Sequence, residues 1–269
     1  GVYNQTDEEI IKVAINSILN QTYDDFEFII YNDGSCAKTT KILEDISTTD
    51  SRIRLIGSNI NNGLAFSLNE CIRASSGNYI ARMDDDDYSY PLRLEKQLLF
   101  LKGHPDIDWC GTDTYLFDEN GIWGERHMIE FPALSDFYSF SPYIHPSVMY
   151  KRSVFSNNNG YSESDDILRC EDYEIFMRLH YMGLHGANIR ENLFAYRETD
   201  STYAKRTWST RIDEARLRYR SFRNMDMMSL RGLISIIRPI VGGLVPNSLI
   251  KLRKRRVDKC VTDSVENVI

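Results

Sequence analysis

A chain of 269 residues, 42% hydrophobic and 26% charged, has the length and make-up of a folded protein with a real core. Its formal net charge of −7 argues against a general nucleic-acid binder. Five scattered cysteines (Cys36, Cys71, Cys110, Cys170, Cys260) lack metal-ligand spacing and suit a reducing, cytoplasmic compartment. No window approaches about 18 uninterrupted apolar residues, so no membrane span is expected. Asp7, Glu8, Glu9 and Lys12 in the first helical pattern do not read as a secretion signal.

Gly1-Val2-Tyr3-Asn4 reads as the end of a strand whose beginning is missing. A helix follows, capped at Thr6 or Asp7, with Ile10, Ile11, Ala14, Ile15, Ile18 and Leu19 on one face. Phe26 to Tyr31 is a predicted strand closed by the turn residues Asn32-Asp33-Gly34-Ser35. A helix over 38–47, a strand over Ile53–Ile56 and a helix over Gly63–Ala74 come next, the last with Leu64, Leu68, Cys71 and Ile72 facing in. The strand Asn78-Tyr79-Ile80-Ala81 then runs into Arg82-Met83-Asp84-Asp85-Asp86-Asp87, and Pro91 opens another helix. Such alternation implies a mainly parallel sheet with right-handed crossovers, in which ligands sit beyond the carboxyl ends of the strands. Asp33 and the acidic run are therefore expected to share one crevice.

Four adjacent carboxylates repel one another and stay together in a fold only where something cationic compensates. Hard oxygen ligands at a strand end suit Mn²⁺ or Mg²⁺ carrying a substrate's phosphates, whereas in isolation the same run would read as a solvated acidic turn. Further on, Trp109–Tyr115 and Ile122–Ile129 are candidate strands around the turn Asp118–Gly121. His145-Pro146-Ser147 precedes a strand at Val148–Tyr150, and 171–182 is a helix opened by Glu171-Asp172. Residues 206–224 form a charged helix. Beyond it an apolar stretch broken by Pro239, Gly242, Gly243 and Pro246 ends in Lys251, Arg253, Lys254, Arg255 and Arg256. Residues 230–256 suit either contact with an anionic membrane surface, on the inner face of the cell membrane, or an ordinary helix pair with a solvated basic end.

Six motifs in register resemble glycosyltransferase family 2, the inverting nucleotide-sugar enzymes of the GT-A fold, over roughly residues 1–200. They are Val2-Tyr3-Asn4 with Ser17–Tyr23, Asn32-Asp33-Gly34-Ser35, Asn62-Gly63-Leu64 followed by Gly77–Asp87, Pro91–Gln97, His145–Met149, and Glu171-Asp172-Tyr173. The resemblance implies an α/β GT-A domain over 1–205, divided near residue 105 into nucleotide and acceptor halves. A helical extension would cover 206–269. It implies transfer of one sugar from a nucleotide donor, a UDP-sugar, to a glycan or lipid-linked acceptor, with inversion and with Mn²⁺ or Mg²⁺. In that reading Asp86 is the direct metal ligand and Asp84 holds the ribose or sugar hydroxyls or binds the metal through water, with Asp85 beside them at the donor. Asp87 orients its neighbours or caps the next turn. Asp33 accepts from the base, Tyr3 stacks on it and Arg82 neutralises phosphate or pairs with the acidic run. Asp172, with Glu171 behind it, is the general base for the acceptor hydroxyl. His145 lines the acceptor side, approaches the metal, or is a structural histidine. Leu68 stands where the family often has Arg, and Thr199 where it often has His, which puts an arginine contact to the base and a histidine contact to metal in doubt. No QxxRW motif is present, so single transfer is favoured over polymerisation. The rivals are a sugar-1-phosphate nucleotidyltransferase, which would want a Gly-rich basic loop near the start, and an inactive carbohydrate-binding or scaffold module.

Overall fold

The computed structural model describes residues 1–156, 158–164, 170–199, 202 and 207–258. Asp7 caps α1 (Glu8–Leu19), its carboxylate accepting the N–H groups of Glu9 and Ile10, and Ile11, Ala14, Ile15 and Ile18 are buried. β1 (Phe28–Asp33), α2 (Ala37–Ser47), β2 (Ile53–Ser58) and α3 (Leu64–Ala74) follow. β1 starts two residues later than the apolar pattern suggests and runs through Asp33, so that residue ends the strand rather than sitting in the turn. Gly34 makes the turn at φ +66°, where a Cβ would lie 2.4 Å from the Ile60 carbonyl carbon. α3 turns Ala65, Leu68 and Asn69 inward, while Leu64, expected to face in, is exposed on the first turn after Gly63.

The second half comprises β3 (Tyr79–Ala81), β4 (Tyr88–Ser89), α4 (Arg93–Gly103), β5 (Trp109–Asp118), β6 (Gly121–Arg126), β7 (Met149–Lys151) and α5 (Ser153–Ser156). α6 (Glu171–Tyr181), β8 (Gly186–Arg197), α7 (Trp208–Asn224), α8 (Leu230–Gly243) and α9 (Asn247–Val257) complete it. Val2 bridges Asn32 in parallel, and β1 pairs with β2 in parallel, as the alternating pattern requires. The other sheet runs β3-β7-β5-β8-β4, with β6 on β5. Only β5–β8 is parallel there, while β3–β7, β4–β8, β5–β6 and β5–β7 are antiparallel. The mainly parallel character expected of the whole therefore holds for the first half alone. After α4 the chain makes a hairpin and returns, and hairpins pair antiparallel.

The largest core lies between sheet and helices, around Trp109, Phe137, Tyr150 and Phe176, and α7 adds Leu217 and Phe222 to it. The helical extension thus packs on the domain rather than trailing from it. The expected boundary at 205/206 and Cys260 lie outside the described residues. A cavity of about 710 Å³ opens between β1 and β3, lined by Ile15, Ile30, Leu68, Tyr79 and Met149 among others.

Three motif residues whose chemistry is not catalytic hold this frame. Gln21 donates Nε2 to the carbonyls of Ser17 (2.9 Å) and Tyr90 (2.9 Å) and accepts the Leu94 N–H (3.0 Å), locking α1 to α4. Arg93, fully buried, donates Nη1 to the carbonyls of Arg82 (3.0 Å) and Pro146 (3.2 Å). Gln97 donates to those of Cys110 and Ser147, both at 2.8 Å. α4 thereby fixes the acidic loop against the His145–Ser147 turn.

Candidate active site

The acidic run leaves β3 as a loop whose position is set from two sides. Arg82 is buried and donates Nη1 to Asp84 Oδ2 (3.0 Å) and Nη2 to Asp84 Oδ1 (2.5 Å), a bidentate pair. At the other end Asp87, also buried, accepts the Arg197 N–H at 2.7 Å, and Arg197 Nε donates to the Asp86 carbonyl at 2.8 Å. Asp84, Asp86 and Asp87 each offer a carboxylate oxygen, all within 4.8 Å of one another. Burial, with Asp86 and Asp84 close by, holds the Asp87 carboxyl well above the usual carboxylate range. The same causes lift Asp85 to about 7. Asp87 Oδ2 is buried without a hydrogen-bond partner among the described residues. Converging hard oxygens, one of them orphaned, fit Mn²⁺ or Mg²⁺. The set differs from the expected one in a single respect: Asp87 joins Asp84 and Asp86 in the cluster, while Asp85 stands beside it.

Behind Arg82 lies a hydrogen-bonded aromatic group. His145 Nε2 and the Tyr161 hydroxyl are 2.7 Å apart, and the Tyr161 and Tyr150 hydroxyls 3.2 Å. Burial, helped by the Arg82 charge, pushes His145 well below its ordinary value, so the ring is neutral. Burial pushes the Tyr161 hydroxyl up to about 12; the Arg82 charge opposes this, and the charges of Asp172 and Asp84 add to it.

Glu171 and Asp172 open α6, where the helix dipole favours negative charge. Burial nevertheless raises Asp172 to about 6; the Tyr173 N–H opposes this, Glu171 adds to it and Arg82 opposes it. Asp172 is half-buried and Glu171 buried.

On the nucleotide side, Tyr3 is 51% exposed and takes no part in the core. The Asp33 carboxylate accepts the N–H groups of Asn62 on Oδ1 and Gly63 on Oδ2, both at 2.9 Å, and so caps the approach to α3. Each oxygen keeps a further lone pair.

Leu68 is packed into the core, and Asn69 beside it does a different job from any contact to a base. It donates Nδ2 to the Tyr161 carbonyl (2.9 Å) and to Glu163 Oε1 (2.6 Å), while its Oδ1 accepts the Tyr161 N–H (2.8 Å). Asn69 thus fixes the loop that carries Tyr161. Sequence reasoning passed over Tyr161, Tyr150, Asn69 and Arg197. The first sits in a Ser- and Asn-rich loop with no motif, Tyr150 acts only through the Tyr161 hydroxyl, and Asn69 and Arg197 act largely through main-chain groups.

Residues 2–158 match the model of glycosyl transferase family 2. The chain is 34% identical over 259 residues to EpsE of Bacillus subtilis (strain 168), a glycosyltransferase by name, covering 96% of this chain and 92% of that one. It is 33% identical over 197 residues to the O-antigen biosynthesis glycosyltransferase WbnJ of Escherichia coli, covering 71% and 75%. This chain belongs to glycosyltransferase family 2. Its fold is GT-A. The mannosyltransferase PcManGT of Pyrobaculum calidifontis, solved in complex with GDP-Man and Mn²⁺, superposes with a TM-score of 0.63 at 13% identity, over 95% of this chain and 78% of that one.

Proposed function

We propose that this chain moves a single sugar, with inversion, from a UDP-sugar to a glycan or lipid-linked acceptor in polysaccharide or cell-surface glycan biosynthesis. The observation that carries the reading is the convergence of Asp84, Asp86 and Asp87 within 4.8 Å, with one buried oxygen of Asp87 unpartnered. Asp86, Asp84 and Asp87 would hold Mn²⁺ or Mg²⁺; such an ion, when bound, stabilises the charge that builds on the leaving diphosphate. Arg82 holds Asp84 in place for that task. Exposed Tyr3 stacks on the base, and Asp33 shapes the turn that receives it. Asp172 takes the proton of the acceptor hydroxyl, its carboxyl kept basic chiefly by burial, with Glu171 adding to the effect. His145, neutral and bonded to Tyr161, shapes the acceptor side rather than moving charge. Residues 1–205 make up the catalytic unit and 206–269 its extension, of which the described part, 207–258, packs on that unit. The O-antigen role of WbnJ favours a cell-surface glycan as acceptor. The intact carboxylates speak against an inactive module.

Calorimetric titration with UDP, GDP and dTDP, with and without Mn²⁺, on wild type and Asp86→Ala tests the reading. Metal-dependent binding of UDP that the variant loses supports it. Binding of GDP alone would move the donor to a GDP-sugar, and no nucleotide binding in the presence of Mn²⁺ would sink the proposal.

A further inference from the structure

α8 turns its small residues inward, with Ile236 packed partly against the core, and most of its large apolar ones outward. Gly232, Ser235 and Pro239 are buried against the domain. At Gly232 a Cβ would lie 2.4 Å from the Met227 carbonyl oxygen, so only glycine allows this approach. Ser235 Oγ accepts from Arg218 Nη1 at 2.7 Å, and the Pro239 carbonyl from Arg211 Nη1 at 3.3 Å. Leu230 (76% exposed), Leu233, Ile234 (62%), Ile237, Val241 and Leu244 (74%) recur at helical spacing on the solvent side. A surface helix held only by the hydrophobic effect would bury that row, and it is instead fixed in the opposite sense by polar bonds.

α9 continues the surface with charge. Lys254 is paired with Glu198 at 2.8 Å, Arg255 with Asp118, and Asp258 with Arg126 at 2.7 Å, which clamps one face of α9 to β5, β6 and β8. The other face presents Leu249, Leu252, Arg253 and Arg256, all exposed. From Leu230 to Val257 there are seven basic residues and no acidic one, in a chain whose net charge is −7. Among the described residues no single helix is long and apolar enough to cross a membrane, and α8 and α9 are bent by 119° relative to each other.

We propose that α8 and α9 form a docking surface for an anionic lipid bilayer, lying along the headgroup region with the α8 row in its apolar boundary. A bilayer of acidic lipid offers hydrocarbon and negative charge side by side, as this surface requires. A second copy does not, because it would set one basic segment against another with no carboxylate between them. The inference goes beyond the transferase reading and does not depend on it.

The test is sedimentation of the purified full chain with phosphatidylcholine vesicles, and with vesicles of phosphatidylcholine and phosphatidylglycerol, over a range of salt. Ile234→Glu/Ile237→Glu and Arg253→Glu/Arg256→Glu are compared with wild type, each checked for a cooperative melt and for the same solution affinity for nucleotide. The wild type is expected to bind the phosphatidylglycerol vesicles, to release them as salt rises, and to lose about tenfold or more in partitioning with either double variant. Binding that ignores salt and both variants, or no binding to either vesicle, overturns the proposal. So does a wild-type dimer that the isoleucine variant dissociates, which would assign the surface to a second copy. If a variant fails to fold, the wild-type salt and lipid dependence decides.

Discussion

Arg82 grips Asp84 through two parallel hydrogen bonds, at 3.0 and 2.5 Å, from a guanidinium that is itself buried. Lysine keeps the charge but loses the fork. Arg82→Lys is expected to leave the fold standing and to lower kcat/KM about tenfold, with Mn²⁺ affinity reduced through Asp84. Arg82→Ala should in addition cost about 2 kcal/mol in stability, less than for a wholly buried pair because Asp84 is partly solvated. Steady-state kinetics and thermal melts of the two variants check this. Equal kinetics for Lys and wild type would make the bidentate geometry irrelevant.

Asp172 provides a pH signature. With its carboxyl raised to about 6, the base is disarmed as pH falls through that value, so activity should decline below it. Stability runs the other way. The folded state binds the extra proton, so the favourable contribution is full below the ordinary carboxylate value and is lost as pH rises towards about 6. Asp172→Asn should therefore be nearly inactive, by about a hundredfold or more. It should also melt higher than wild type at pH 8 and close to wild type at pH 4. Melts at the two pH values, beside a pH–rate profile, are the check.

The carboxylate cluster predicts stabilisation by metal. Mn²⁺ at about a hundred times its dissociation constant should add about 2.7 kcal/mol to wild-type stability. Asp86→Ala and Asp87→Asn should lose most of that gain, while Asp85→Asn keeps it, because Asp85 stands outside the cluster. Melting temperatures with and without Mn²⁺ measure it; an Asp85 variant as insensitive as the Asp86 variant would redraw the ligand set.

Asn69 and Gly160 form a second lock, distant from the acidic loop in sequence. Gly160 sits at φ +72°, and a Cβ there would lie 2.3 Å from Asn69 Oδ1. Gly160→Ala should cost about 2 kcal/mol, and Asn69→Ala a similar amount by stranding the N–H and C=O of Tyr161. Both should lower kcat more than they alter nucleotide affinity, because what they shift is the Tyr161 loop. Calorimetry with UDP beside kinetics separates the two effects.

Much of this was legible because the first hundred residues obey simple periodicities. α1, α2 and β2 follow from their apolar spacing, and Asp7 from capping chemistry. β8 gave no such signal. Its middle reads Asn188-Ile189-Arg190-Glu191-Asn192, its register on β5 shifts there, and both faces are buried at its ends, so neither alternation nor an apolar run marks it. The acidic loop, His145 and Glu171-Asp172 could be picked out as chemistry-bearing residues. What could not be read was the work of Arg93, Gln97 and Asn69, whose partners are carbonyls and N–H groups far away in the chain. Main-chain partners leave no trace in residue type.

One strand end ties together surfaces described separately above. Arg197 receives the acidic loop through Asp87 and Asp86, and the next residue, Glu198, receives α9 through Lys254. Two successive residues of a single backbone thus bear on the metal-ligand loop and on the basic helix. Thermodynamic linkage makes any free energy transmitted through them reciprocal: if engagement of α9 tightens nucleotide binding by some factor, nucleotide tightens that engagement by the same factor. The pair of residues at the end of β8 is where such a conversation would be audible, and Lys254→Ala is the change that would silence it.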